Sequence, residues 1–344
     1  MRKRVVLLTD YKGNFGAKYN AVPYRSGFDK SLLCQIFNRS GIEVEFIPFS
    51  EIDWKRKDWS DEMVLYTSSE EFGYYYKSFI EDNILHLERL GAKCIPGYPH
   101  LRANNNKVFM EFLANSLGIE THLKTFAYGT LEELRDYAQR VQIDFPVVLK
   151  KPDGAKSRGV FLIHNEQALL RKSAKLQEVL GVFDKFRELI RSWKHKGYQK
   201  QSFYQKKMVI QSFIPNLKND WKILIYGEKG FVLNRGIKPN DFRASGSGFS
   251  YKSGSKSEIP LEVLDFSKKI YDKMNVPNLS LDIAYDGNLP YLIEFQSVYF
   301  GMATILMSED FYCFKDREWK KKPEDISLEE IYAQSVIDHV LKIG

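Results

Sequence analysis

The sequence has three cysteines, Cys34, Cys94 and Cys313, far apart and without a C-x-x-C pair. That spacing excludes a zinc ribbon and a disulfide framework, and it fits a reducing, cytoplasmic setting. The histidines are few and scattered, so no histidine-based metal site is suggested, and His164 and His195 read as surface residues. No apolar run approaches the roughly 18–20 residues that span a bilayer. The start, MRKRVVLLTD, has a basic head, but its apolar run is only Val5 to Leu8 before Asp10, which reads as a first buried strand rather than a leader. No internal repeat, low-complexity segment or long linker is visible. No zinc-finger, RNA-recognition or helix-turn-helix pattern accompanies the net charge of +7, so no nucleic-acid partner is expected. Much of the positive excess falls between Arg171 and Lys207. It reads as a solvated basic helical pair, the alternative being a patch that holds an anionic acceptor.

What is present is a regular alternation. VVLLT (5–9), EVEFI (43–47), MVLYT (63–67) and AKCIP (92–96) read as strands, with helices around Ser31–Phe37 and Phe79–Leu90 between them. Strands alternating with helices predict a small parallel α/β unit over 1–100. A helix over 106–117 stops at Gly118, and PVVLK (146–150) is a strand running into a glycine-containing loop. Residues 166–205 read as largely helical. The chain then becomes β-rich through MVIQSFI, DWKILIYG, GFVLNRG, LSLDIAY and LPYLIEFQ, with helices around Val263–Met274 and Leu328–Ile343.

The most informative stretch is LSLDIAYDGNLPYLIEFQ, 279–296. Asp286-Gly287-Asn288 is a hairpin signal between two apolar segments. Asp282, Glu294 and Gln296 interrupt those segments with oxygen donors. With a three-residue connection, Asp282 falls opposite Leu292 and shares a face with Glu294 and Gln296; a two-residue turn puts it on the other face. Gathered carboxylates repel unless a cation neutralises them, and an oxygen-only set suits Mg²⁺ or Mn²⁺. Upstream, Lys150 ends a strand before Gly154 and Gly159, where glycines let backbone N–H groups approach phosphate oxygens. The spacing is not that of a Walker loop. Lys107 opens a helix after Asn104–Asn106. Arg235 and Arg243 lie between β segments, where arginine suits bidentate phosphate or carboxylate binding.

In this order the motifs resemble the ATP-grasp superfamily, in the branch that contains glutathione synthetase and the ribosomal-protein glutamate ligase. The resemblance rests on NNK (105–107), VVLKKPDGAKSRGV (147–160), VIQSFIP (209–215), NDWKILIYGEK (219–229), NDFRASGSG (240–248) and LDIA…YLIEFQ (281–296). It implies an α/β fold, α+β in its C-terminal part: a pre-grasp domain at 1–100, a first grasp lobe at 101–214 with the phosphate loop and basic insert, and a second lobe at 215–344 with the metal site. It implies that Lys107 and Lys150 contact ATP phosphates. The loop 153–159 (Gly154, Ser157, Gly159) is then a lid, and Gln211, Ser212, Phe213 and Ile214 form the adenine-reading hinge. Asp220 reaches nucleotide or substrate. Arg243, with Arg235, holds the γ-phosphate or acyl phosphate, and Asp282, Glu294 and Gln296 bind one or two magnesium ions. Two departures from the family pattern are Gln296, where asparagine is usual, and Ser212, where glutamate is common.

The implied activity is ADP-forming carboxylate–amine ligation through an acyl phosphate. Alternatives are an ATP-grasp kinase, a carboxylate–thiol ligase or a non-catalytic nucleotide binder. Expected partners are a small-molecule, peptide or sugar-acid carboxylate and an amine acceptor, and a homodimer is compatible with the sequence. The long loop 10–29, with Lys18, Tyr24 and Arg25, is the candidate for substrate selection because loops at strand C-termini line the ligand crevice of α/β units.

Overall fold

The computed structural model describes residues 3–16, 27–154, 159–243, 250–253, 258–324 and 327–343. Three sheets organise them. The first is built from β1 (Lys3–Thr9), α1 (Lys30–Arg39), β2 (Ile42–Pro48), β3 (Met63–Tyr66), α2 (Tyr75–Arg89) and β4 (Lys93–Ile95). Its strands run parallel in the order β2-β1-β3-β4, as the alternation predicts. Asp29 caps α1 by accepting from the N–H groups of Ser31 and Leu32.

A short helix α3 (Tyr98–Ala103) leads into α4 (Lys107–Ser116). Next come β5 (Thr125–Tyr128), α5 (Leu131–Arg140), β6 (Val147–Lys150), β7 (Val160–Ile163), α6 (Glu166–Gln177), α7 (Val182–Lys194) and β8 (Met208–Ser212). The stretch 166–205, expected to be largely helical, is two helices, with the chain irregular after α7 ends at Lys194. The second sheet is antiparallel, in the order β5-β8-β6-β7. Along β6 and β8 the side chains alternate. Val147, Leu149, Met208 and Ile210 pack against Leu131 and Leu134 of α5 and Leu169 of α6. Val148, Lys150, Val209 and Gln211 therefore face the opposite way.

The third sheet uses β9 (Asn219–Tyr226), β10 (Lys229–Gly236), β11 (Tyr251–Lys252), β12 (Asn278–Tyr285), β13 (Pro290–Gln296), β14 (Asp310–Lys315) and β15 (Glu318–Pro323), with helices α8 (Leu261–Met274), α9 (Ala303–Met307) and α10 (Leu328–Ile343). Its order is β13-β12-β9-β10-β14-β15, with β11 beside β10. Trp221, Ile223, Ile225, Leu281 and Ile283 turn towards α4 and α8. On the other face, Leu224, Tyr226 and Phe231 pack with α10, whose Val336 and Val340 share a core with Val5 and Leu7 of β1. The C-terminal helix thus joins the first and third sheets. It covers only one end of that face, and the other end carries charge.

Candidate nucleotide and metal site

The uncovered end is assembled by cross-strand register. Arg235 of β10 lies opposite Asp220 of β9, Lys222 opposite Asp282 of β12, and Asp282 opposite Glu294 of β13. Arg235 donates from Nε to Asp220 Oδ1 at 2.6 Å and from Nη2 to Asp220 Oδ2 at 2.7 Å. Its Nη2 also lies 3.0 Å from Asp282 Oδ2, while Lys222 Nζ donates to Asp282 Oδ1 at 2.8 Å. Burial alone would raise the Asp282 carboxyl, but the Arg235 and Lys222 charges outweigh it and hold the group well below the usual carboxylate range.

The metal-ligand register corrects the sequence expectation. The connection is four residues, because Tyr285 pairs with Pro290, and Asp282 faces Glu294 rather than Leu292. A bulge at Ile293 makes up the difference: Leu292 pairs with Ile283 and joins the apolar core, while Glu294 and Gln296 turn to the charged face. In a regular ladder Leu292 and Glu294 would share a face, so the extra residue re-aims the carboxylate. Asp286 fixes the turn by accepting from the N–H groups of Asn288 and Leu289, each at 2.8 Å.

The lysines come from elsewhere and arrive at the same place. Asn106 caps α4, accepting from Phe109 N–H at 3.3 Å, which sets Lys107 at the first helical position. The Lys107 N–H donates to Pro152 O at 2.9 Å, its Nζ to Gly154 O at 3.3 Å, and Nζ lies 3.8 Å from Glu294 Oε2. Lys150, on the outward face of β6, is buried. Burial and then the Lys107 charge bring its ammonium down to about 8, against the opposing pull of Glu294, Glu111 and Asp282. Gly154 and Gly159 take positive φ on either side of 155–158, and the Lys151 N–H donates to Gly159 O at 2.9 Å. A Cβ on Gly159 would sit 2.8 Å from the Lys151 side chain, so the close return requires glycine. Ser157 lies outside the described residues, as do Lys18, Tyr24 and Arg25 of the candidate substrate loop.

Other candidates sit differently from expectation. Asp220 is buried with both carboxylate oxygens on Arg235, which also reaches Asp282. Arg243 is half-buried and its fork is taken by Asp241, Nε to Oδ1 at 2.9 Å and Nη2 to Oδ2 at 3.0 Å. Gln211 sits inside the second sheet between Thr125 and Val148, and its side chain donates to Glu111 at 2.6 Å. Ser212 pairs with Val147, and its N–H bonds to Lys124 O. The hinge expected at 211–214 is thus half ladder; Phe213 and Ile214 lie beyond it, on the connection to the third sheet.

Three residues escaped sequence reasoning. Lys222 was legible, since period 2 places it on the same face as Asp220. Glu111, one helical turn after Lys107, is raised by burial, an effect that Lys150 opposes most. Tyr74 belongs to a 3-10 turn (Phe72–Tyr74) beyond the C-terminal end of β3, at φ 55 and ψ 21. Its phenol is raised by burial and then by Asp153, Glu70 and Glu294, and the Gly154 backbone is its hydrogen-bond partner. No local signal marks such a contact.

Among the described residues, no three His, Cys, Asp or Glu side chains gather closely enough to hold a metal. The donor set that remains, Asp282, Glu294 and Gln296 on one face, still fits a hard cation. A carboxylate accepts at about four lone-pair positions, and Mg²⁺ takes one or two carboxylates plus phosphates. The buried Ser280 hydroxyl, opposite Gln296, has no hydrogen-bond partner, which leaves another oxygen beside that set. A cavity of about 460 Å³ is lined by Phe112, Phe126, Tyr128 and Lys207 and by none of Lys107, Lys150, Asp282, Glu294 or Gln296.

No protein-family model and no curated protein matches the sequence. Solved structures match the fold. D-cycloserine synthetase DcsG is similar at TM-score 0.57 and 14% identity, over 98% of this chain and 99% of that one. A Chryseobacterium gregarium RiPP-associated ATP-grasp ligase, in complex with ADP and a leader and core peptide, is similar at TM-score 0.51 and 14% identity, over 99% and 97%. The glycinamide-RNase-transformylase T structure from Mycobacterium tuberculosis gives 0.51 and 12%, over 97% and 80%. The chain has the ATP-grasp fold.

Proposed function

We propose that the chain is an ATP-dependent carboxylate–amine ligase that works through an acyl phosphate. The observation that carries this reading is the convergence of Lys107 and Lys150 with Asp282 and Glu294, drawn from three separate segments into one charged cluster. The fold shared with DcsG and with a ligase that holds ADP supports the nucleotide half. A carboxylate is a poor electrophile because its leaving group would be an oxide. Transfer of the γ-phosphoryl group onto it gives an acyl phosphate; attack by a neutral amine then forms the amide and releases phosphate. Such chemistry asks the protein for positioning and charge neutralisation, not for a nucleophile.

Lys107 and Lys150 supply fixed positive charge to the phosphates, and Arg243 would join them only by exchanging its bidentate pairing with Asp241 for a phosphate. Arg235 and Lys222 hold Asp282 ionised. Magnesium, held by Glu294 and Gln296 with Asp282, would neutralise phosphate charge. Phe213 and Ile214 meet the base, and excluding water protects the acyl phosphate from hydrolysis. The test is ADP release screened over amino acids, peptides and sugar acids paired with amines, followed by product mass. An amide with stoichiometric ADP supports the reading. A phosphoester or thioester product, or ATP turnover with no acid requirement, refutes it.

A further inference from the structure

Helix α7 is amphipathic in the wrong direction for a folded protein. Val182, Phe186, Leu189 and Trp193 repeat at four- and three-residue steps and form one stripe, with Phe183 and Ile190 beside it. A stripe of this kind ordinarily packs inward. Here Phe183 and Trp193 are each 88% exposed and Phe186 is 63% exposed, while the buried side chain of the helix is Glu188. The helix is fastened by its polar side. Glu188 accepts from the Tyr198 hydroxyl at 2.7 Å and from Arg191 at 2.9 Å, and Lys185 pairs with Glu178. The apolar stripe is a convex ridge, presented outward.

Charge decides what can cover it. Between 182 and 200 there are six lysines and arginines against two acidic residues. Lys194 lies on one margin of the stripe with Arg187, whose guanidinium is 3.7 Å from Asp184 and 65% exposed, and Lys196 and Lys200 follow the helix end. A second copy docking ridge to ridge would bring two such cationic margins together. An acidic protein groove would satisfy the charge but needs a partner shaped to a ridge. A bilayer interface accepts a ridge without a complementary groove: aromatic and aliphatic side chains enter the acyl boundary while flanking cations meet anionic headgroups. We propose that α7 is a membrane-surface element that seats this protein on an anionic bilayer. The proposal is independent of the ligase reading, and it needs no membrane span; among the described residues, no helix is long and apolar enough for one.

The test is co-sedimentation of the full chain with phosphatidylcholine vesicles and with equimolar phosphatidylcholine–phosphatidylglycerol vesicles. Binding should favour the anionic vesicles about tenfold or more and weaken as salt rises. The Phe186→Ser/Trp193→Ser double variant should lose about tenfold or more of that binding, since two large apolar side chains leave the interface. Its circular dichroism should be unchanged, because neither side chain supports the core. Equal wild-type binding to the two vesicle types, no binding, or undiminished binding of the double variant overturns the proposal. So does velocity sedimentation showing a wild-type dimer that the double variant loses while neither protein binds vesicles, which would assign the ridge to a second copy.

Discussion

Replacing Lys150 with methionine should stabilise the empty protein while removing its grip on nucleotide. In the empty site, burial and the adjacent Lys107 charge bring the Lys150 ammonium from its ordinary 10.5 to about 8. At about 1.4 kcal/mol per pH unit, holding that charge in place costs the folded state about 3 kcal/mol at neutral pH. Methionine keeps the length and the apolar stem without the charge. The variant should therefore melt several degrees higher at pH 7 in the absence of nucleotide. The pH dependence carries the sign. Below pH 8, Lys150 is charged folded and unfolded, and its cost is fully present. Between about 8 and 10.5 the unfolded chain binds more protons than the folded one, so wild-type stability gains from this group as pH rises, and the advantage of the variant shrinks. ATP affinity should fall roughly ten- to hundredfold with the loss of a charge-assisted contact. Melting curves of the two proteins at pH 7 and at pH 10, with nucleotide titrations, check both halves. A variant that melts below wild type at pH 7 would refute the account of Lys150 as a strained, ligand-awaiting charge.

Glu294→Ala should abolish ADP release while leaving the melting temperature near that of wild type, because Glu294 is half-buried and carries no core packing; normal turnover would remove it from the metal set. Arg235→Met should cost about 3–5 kcal/mol, since it leaves Asp220 buried without its guanidinium partner and Asp282 with Lys222 alone; chemical denaturation reads this, and a change under 1 kcal/mol would contradict the pairing. Tyr74→Phe should leave the fold intact and raise the KM for ATP by severalfold through loss of its link to the phosphate loop, a steady-state measurement in which an unchanged KM would deny the contact. Gly159→Ala should impair nucleotide binding by straining the loop at φ +85 against Lys151; isothermal titration gives the answer.

The sequence by itself determined much of this protein, because much of it is written in short-range periodicity. Short apolar runs marked every parallel strand of the first sheet, Asn106 marked the start of α4, and the glycines after Lys150 marked the turn beyond β6. Asp282, Glu294 and Gln296 stood out as oxygen donors where apolar residues were expected. Tertiary structure decided what those residues do to one another. The bulge at Ile293 is one extra residue in one strand, invisible to a count that assumes a regular ladder, yet it turns Glu294 to the charged face. Arg235 read as a ligand-binding group because arginine suits anions, and Asp220 because the resemblance implies it; strand pairing brings the two together, which no local pattern shows. Tyr74 meets Gly154 across 80 positions of sequence, a distance at which no local pattern speaks. The direction of α7 was equally out of reach. Its period shows that the helix has two faces, but which face meets solvent depends on what the rest of the chain leaves for it to cover.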